Sequence, residues 1–229
     1  MTDRTIGKTI AEALDELESD ERALVELCGE MVKAYGGAIY AFDLFAYGAA
    51  NRSLGLSTGF RTMIGEQNFI CAGALVRLQL DTAFRFYAGF LVDDPARFAL
   101  DVFAGKHVRK LKDRDNKNMT DTYLVAKLSD EFPWVQSLYD HTCEYIHLSG
   151  THISHAIEGG IGPDNTFTTK IGGVDDDIPD STYVDAIQAF QRSMHVFLHY
   201  LRGWVLTKDN PELVAKLKAE RDTKETNAS

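Results

Sequence analysis

From Phe69 to about Leu91 the chain is apolar nearly all round, within a helical stretch read as Gly59 to Leu91. A helix without a polar face has to be covered on most sides, so the rest of the chain must be built around this one. After Glu66 its charges are Arg77, Asp81 and Arg85, spaced i, i+4 and i+8, which puts them on one line along the helix. Asp81 can neutralise one arginine and not two. The second cation needs Asp43, Glu144, another acid, solvent or a bound anion, because an unpaired buried charge costs several kcal/mol. Arg77, Asp81 and Arg85 are therefore either a structural ion network or a ligand-binding site for an anion.

Helical periodicity on both sides supplies the covering elements. Ile6, Ile10, Ala13, Leu14 and Leu17 form one stripe, and Leu24, Leu27, Met31 and Tyr35 form another. They predict helices over Thr5–Leu17 and Asp20–Asn51, the second kinked at Gly36-Gly37. Asp43 lies in an otherwise uncharged run, close to the core, and needs a partner if ionised. Ser53–Thr58 reads as a loop. Asp94-Pro95 opens a helix to about Leu111, with Asp94 as N-cap and Pro95 at the first helical position. Lys112–Asn118 is a charged loop, and Thr120 to about Asp130 is helical.

The next stretch, Tyr139–His155, holds four of the seven histidines. Apolar positions from Trp134 to Ile146 follow helical spacing, Pro133 suits the first turn, and Ser149-Gly150 is a stop. His141, Glu144, Tyr145 and Leu148 share one helical face, while Cys143 and His147 share another. Glu144-x-x-His147 has the spacing of a di-iron carboxylate motif, yet the chain has no second E-x-x-H. Cys143 with His147 falls short of a structural zinc set. The expected outcome is no metal and no cofactor, with His147 and His152 as ligand-binding candidates or as side chains bonded around a helix-to-strand turn. Thr151–Glu158 and Thr166–Ile171 alternate in polarity around GGIGPDN, which predicts a hairpin that must pack on helices.

The last long helix, capped by Thr182-x-x-Asp185 and ending near Leu206, carries two stripes. Ile187, Phe190, Met194, Phe197, Leu201 and Trp204 form its core face. Asp185, Gln188, Arg192, His195, His199 and Arg202 form a polar stripe with neither Lys nor Glu, which is either a solvated face of unusual composition or a site.

The 229 residues carry a formal charge of −10, which disfavours a broad electrostatic grip on nucleic acid or anionic membrane and leaves room for a local basic groove. Three widely spaced cysteines suit a reducing cytoplasm. No apolar leader is present at the N-terminus, and Ala34–Asn51, the nearest approach to a membrane span, reads as a buried helix. There is no phosphate-cradling Gly loop, G-x-S-x-G elbow or H-E-x-x-H motif.

Two resemblances add to this. Arg77-x-x-Leu80-Asp81 together with Tyr145-Ile-His147-x-Ser-Gly-x-x-Ile153 resembles a group of uncharacterised helical bacterial proteins with an R-x-x-[LF]-[ED] helix and a Y-[IV]-H turn, over roughly residues 60 to 200. Arg192 and His199, spaced R-x6-H, are similar to the R-x4-6-H motif of the HEPN superfamily, although Ser193 stands where HEPN motifs usually carry Asn, Asp or His. That resemblance implies a helical bundle, a homodimer and metal-independent RNA cleavage with Arg192, His199 and His195 as the catalytic candidates, since His can move a proton while Arg holds a phosphate bidentately.

The sequence thus predicts an all-α bundle of six to eight helices with a small β-hairpin insertion near 151–172. Residues 1–207 form a single helical domain, followed by a short helix and polar tail over 208–229. The functional expectation is a cytoplasmic, non-catalytic binding or regulatory module with an Arg/His site, the alternative being a HEPN-like RNA endonuclease. The expected partners are a second copy of the chain, RNA or a small anionic ligand, and no membrane.

Overall fold

The computed structural model describes residues 8–158, 164, 166–169, 171–175, 177–212, 215–216 and 219. Among them are eight α-helices: α1 (Ile10–Lys33), α2 (Ala41–Gly65), α3 (Phe69–Tyr87), α4 (Pro95–Phe103), α5 (Asp121–Ser129), α6 (Trp134–Ile146), α7 (Gly150–His155) and α8 (Asp180–Asp209). Two short strands, β1 (Ile157–Glu158) and β2 (Thr168–Thr169), pair antiparallel. The all-α bundle with one small hairpin is therefore the fold, and no described helix is long and apolar enough to cross a membrane.

As expected, α3 is the hub. It packs against α8, α2, α6 and α5, while α1 lies on α8 and α2 and α4 leans on α2. Its buried side chains, among them Val76, Leu80, Phe84 and Phe86, face neighbours on nearly every side. An aromatic cluster locks one end of the bundle. Phe42 stacks on Phe86 at 5.3 Å and meets the edge of Trp204 at 4.8 Å, and Phe86 meets Phe197 at 4.9 Å. Gly89 permits that closeness, since a Cβ there would come within 2.3 Å of the Phe42 ring.

Several boundaries differ from the periodicity reading. The break expected between Leu17 and Asp20 is absent, and α1 runs through it from Ile10 to Lys33, because Asp20 sits on its half-buried face bonded to α8 and breaks nothing. Residues 5–7 of the predicted first helix lie outside the described residues. Gly36-Gly37 ends this helix instead of kinking it. Tyr35, Gly36 and Gly37 all take positive φ, a conformation that cannot continue a right-handed helix. Ser53–Thr58 is not a loop, since α2 runs straight through it. Ser53 and Ser57, four apart and fully buried, hydrogen-bond Gln79 on α3 and Glu21 on α1. The break falls at Glu66–Asn68, where Gln67 is left-handed and the Asn68 side chain accepts the Cys71 N–H to cap α3.

Asp94 caps α4 with Pro95 in the first turn, as predicted, and the helix expected from Thr120 is α5, with the Thr120 side chain as its cap. The helix after Asp94 stops at Phe103, short of Leu111, where Gly105 turns the chain at φ +85°. Helix α8 begins at Asp180, so Thr182 lies inside it and is not its cap. The predicted strand over Thr151–Glu158 is helical through His155, and only Ile157–Glu158 pairs with Thr168–Thr169. Most of the GGIGPDN turn lies outside the described residues.

The boundary placed after residue 207 also moves. Helix α8 continues to Asp209, and Lys208 is buried, with its ammonium 2.9 Å from Asp43 Oδ2 and 2.7 Å from the Met31 carbonyl. Asp43 accepts in addition from Trp204 Nε1 at 2.7 Å and from the Tyr40 N–H at 2.8 Å. That carboxylate is spoken for. It is not the acid that balances the α3 arginines.

Candidate functional site

The α3 charge line closes through two residues that periodicity did not supply. Arg85 Nε lies 2.7 Å from Asp81 Oδ1, and its Nη2 lies 2.9 Å from Asp121 Oδ1 in the first turn of α5. Arg77, nine-tenths buried, reaches Asp121 Oδ2 at 3.7 Å and lays its guanidinium over the Tyr139 ring at 4.3 Å. Arg52 from α2 adds a third cation, 3.0 Å from Asp81 and 2.8 Å from the Thr82 hydroxyl. Neither Asp43 nor Glu144 takes part. Asp43 belongs to Lys208, and Glu144 accepts from the Thr151 hydroxyl at 2.5 Å. Three guanidinium groups thus face two carboxylates, and one positive charge remains in surplus. Burial pushes the Tyr139 phenol above its usual pKa, with Arg77 beside it opposing that shift.

The polar stripe of α8 does not act as one unit. His195 Nε2 is 2.8 Å from Asp20 on α1, while His199 Nε2 is 3.1 Å from Glu131, just before α6. Glu131 also accepts from the Tyr200 hydroxyl at 2.6 Å; burial, and then that bond, raise the Tyr200 phenol. Both imidazoles are exposed and each is held by a carboxylate from a different helix or turn. Arg192 has no ion-pair partner among the described residues. It lies seven residues from His199, about 10 Å along the axis, so the two do not converge on one small group within a single chain.

Arg192 instead faces α6. Helices α6 and α8 both pack on α3 yet barely touch each other, which leaves an open cleft with α3 as its floor. One lobe, of about 340 Å³, is lined by Trp134, Ser137, His141, Gln188 and Arg192. An adjoining lobe, of about 380 Å³, is lined by Phe69, Val76, Tyr145, Ile178 and Ala186. Leu138, His141, Asp185 and Ala189 line both. Gly73 lets Tyr145 close the far end, since a Cβ there would stand 2.7 Å from the Tyr145 ring. Burial raises the Tyr145 phenol, with the Glu144 carboxylate adding to the shift.

The predicted site residues therefore divide. Arg77, Asp81 and Arg85 form one network, Arg192 lines the cleft, and His195 and His199 are tied to carboxylates outside it. His147 ends α6 as an exposed residue. The His152 ring sits 6.4 Å from Tyr145, with Nδ1 3.3 Å from both the N–H and the hydroxyl of Ser149, a local bond around the turn. The sequence gives His141 only as a member of a helical face, and Asp185 only as part of a cap and of the polar stripe. Their facing each other across a cleft is a tertiary fact with no local signal. Among the described residues no three His, Cys, Asp or Glu side chains converge as a metal site requires.

Compared with protein-family models, with curated proteins and with solved structures, the chain matches none.

Proposed function

We propose that this chain is a non-catalytic binding module whose α6–α8 cleft takes a small molecule with an apolar body and one anionic group. The observation that carries this reading is Arg192, a cation without an ion-pair partner among the described residues, beside a slot lined by Phe69, Val76, Leu138 and Ala189. A mostly apolar cleft with a few convergent polar groups is the common form of a small-molecule site. Asp185, in the wall common to both lobes, repels an anion there and so directs it toward Arg192, while His141 offers a ring nitrogen in that same wall. Three free cysteines, Cys28, Cys71 and Cys143, suit the reducing cytoplasm in which this module would work.

Anilinonaphthalene sulfonate, an aromatic body with one sulfonate, is a suitable probe. Its fluorescence should rise saturably with the folded chain, and Arg192→Ala should weaken binding about tenfold or more, the usual cost of a charge-assisted contact. Ala189→Trp, which fills the wall common to both lobes, should abolish it. Equal binding by wild type and Arg192→Ala would refute the reading.

A second reading, RNA cleavage by Arg192 and His199 with His195 beside them, is supported by the carboxylates on the two imidazoles, since such a partner orients a general base. It requires a two-fold dimer that brings two Arg192/His199 pairs together. Labelled RNA incubated with the chain in EDTA tests it. Cleavage that Arg192→Ala and His199→Ala each remove, with unchanged melting, supports the nuclease; intact RNA sinks it.

A further inference from the structure

A second cleft, of about 680 Å³, opens between α3, the turn that follows α4 and the start of α5. Arg85, Lys106, His107 and Arg109 line it, and Asp121 is its one acid. This is the reverse of the whole chain, whose formal charge is −10. Asp121 offers little negative charge of its own, because Arg85 and Arg77 already hold both of its oxygens. Lys106 is shared with Asp101 at 3.0 Å, and Asp101 is itself divided with Arg97 at 3.2 Å. Arg109 has no ion-pair partner among the described residues. The network of three arginines and two carboxylates thus reaches this cleft through Arg85, and the cleft adds further cations.

The start of α5 points the same way. Thr120 uses its hydroxyl to cap the Tyr123 N–H, so the N–H groups of Asp121 and Thr122 lie in the first turn, where a helix has no acceptors of its own. Such donors beside guanidinium groups suit oxyanions.

We propose that this cleft binds a small ligand carrying more than one phosphate group. Arg85 keeps its Nη1 group and Lys106 two of its three N–H donors beyond their carboxylate contacts, and Arg109 has no ion-pair partner among the described residues, so linked phosphates can engage several of these cations where a single phosphate engages fewer. The cleft's size and the chain's overall negative charge favour a short oligophosphate over an extended nucleic-acid backbone, which the rest of the surface would repel. The site is separate from the α6–α8 cleft and stands or falls independently of it.

Calorimetric titration of the full chain with inorganic tripolyphosphate, pyrophosphate and orthophosphate at low salt tests the proposal. Affinity should fall in that order and weaken with added salt, while Arg109→Ala should raise the tripolyphosphate Kd about tenfold, the loss of one charge-assisted contact. Arg109 is exposed, so that variant should melt as the wild type does, and Arg192→Ala should leave tripolyphosphate binding unchanged. Absence of tripolyphosphate binding, or equal binding by Arg109→Ala and Lys106→Ala, would overturn the proposal. Tighter, Arg109-dependent binding of a short single-stranded RNA would also overturn it, in favour of a nucleic-acid backbone.

Discussion

Asp43–Lys208 and the Arg52–Arg77–Arg85–Asp81–Asp121 cluster are both ion networks in a helical bundle, yet they are built on opposite principles. The first is one acid against one base, both side chains fully buried, with every remaining contact supplied by Trp204, Tyr40 and the Met31 carbonyl. The second is three bases against two acids, with Arg52 side chain 41% and Asp121 30% exposed. A balanced buried pair has nothing left to offer a ligand. Both networks border a cleft, but Lys208 and Trp204 reach theirs with their polar groups already paired, whereas the unbalanced, half-open cluster brings to its own a charge that the fold has not neutralised.

The largest test of this contrast is Asp43→Ala, which leaves the Lys208 ammonium in the core without its counter-ion and should cost about 3–5 kcal/mol in urea unfolding. Pairing Asp43→Asn with Lys208→Met should recover much of that loss, because the cost belongs to the stranded charge. Asp81→Ala should cost less, about 1–3 kcal/mol, since Arg52 and Arg85 keep Thr82, Asp121 and solvent as partners. If Asp81→Ala proved the more damaging, the distinction between a sealed and an open network would be wrong. Smallest of all, Arg192→Ala should move the midpoint by no more than about 0.5 kcal/mol, because it removes an exposed side chain that holds nothing in place.

Where the fold was legible in the sequence, the signal was local. Asp94-Pro95, Thr120 and the core stripe of α8 from Ile187 to Trp204 act within a few residues of themselves, and each lies where the pattern put it. The α2–α3 region misled because Ser53-Leu-Gly-Leu-Ser-Thr58 has a loop's composition, while its two serines are the small buried contacts of a continuous helix. The sign of the true break was Asn68, a good N-cap residue, three residues after Gly65. The cleft was illegible for a different reason. Periodicity placed Arg192 and Asp185 on one stripe and His141 on another helix's face, but only their common packing on α3 brings those faces together. Likewise Asp121 reads locally as an acid in a first turn, and nothing near it in sequence announces the two arginines of α3 that it meets.

The position of Lys208 also bears on the order in which the bundle can be completed. Its partners, Asp43 and the Met31 carbonyl, lie 165 and 177 residues earlier. Until the last turn of α8 has been made, Asp43 is an uncompensated carboxylate at the junction of α1 and α2, and that end of the molecule stays open to water. Helix α8 also packs along both α1 and α3. Contacts of such long range reward the chain only after a large loop has been closed. During synthesis, then, the first two helices would wait for the last one, and the molecule would shut from its C-terminal side in a single late event.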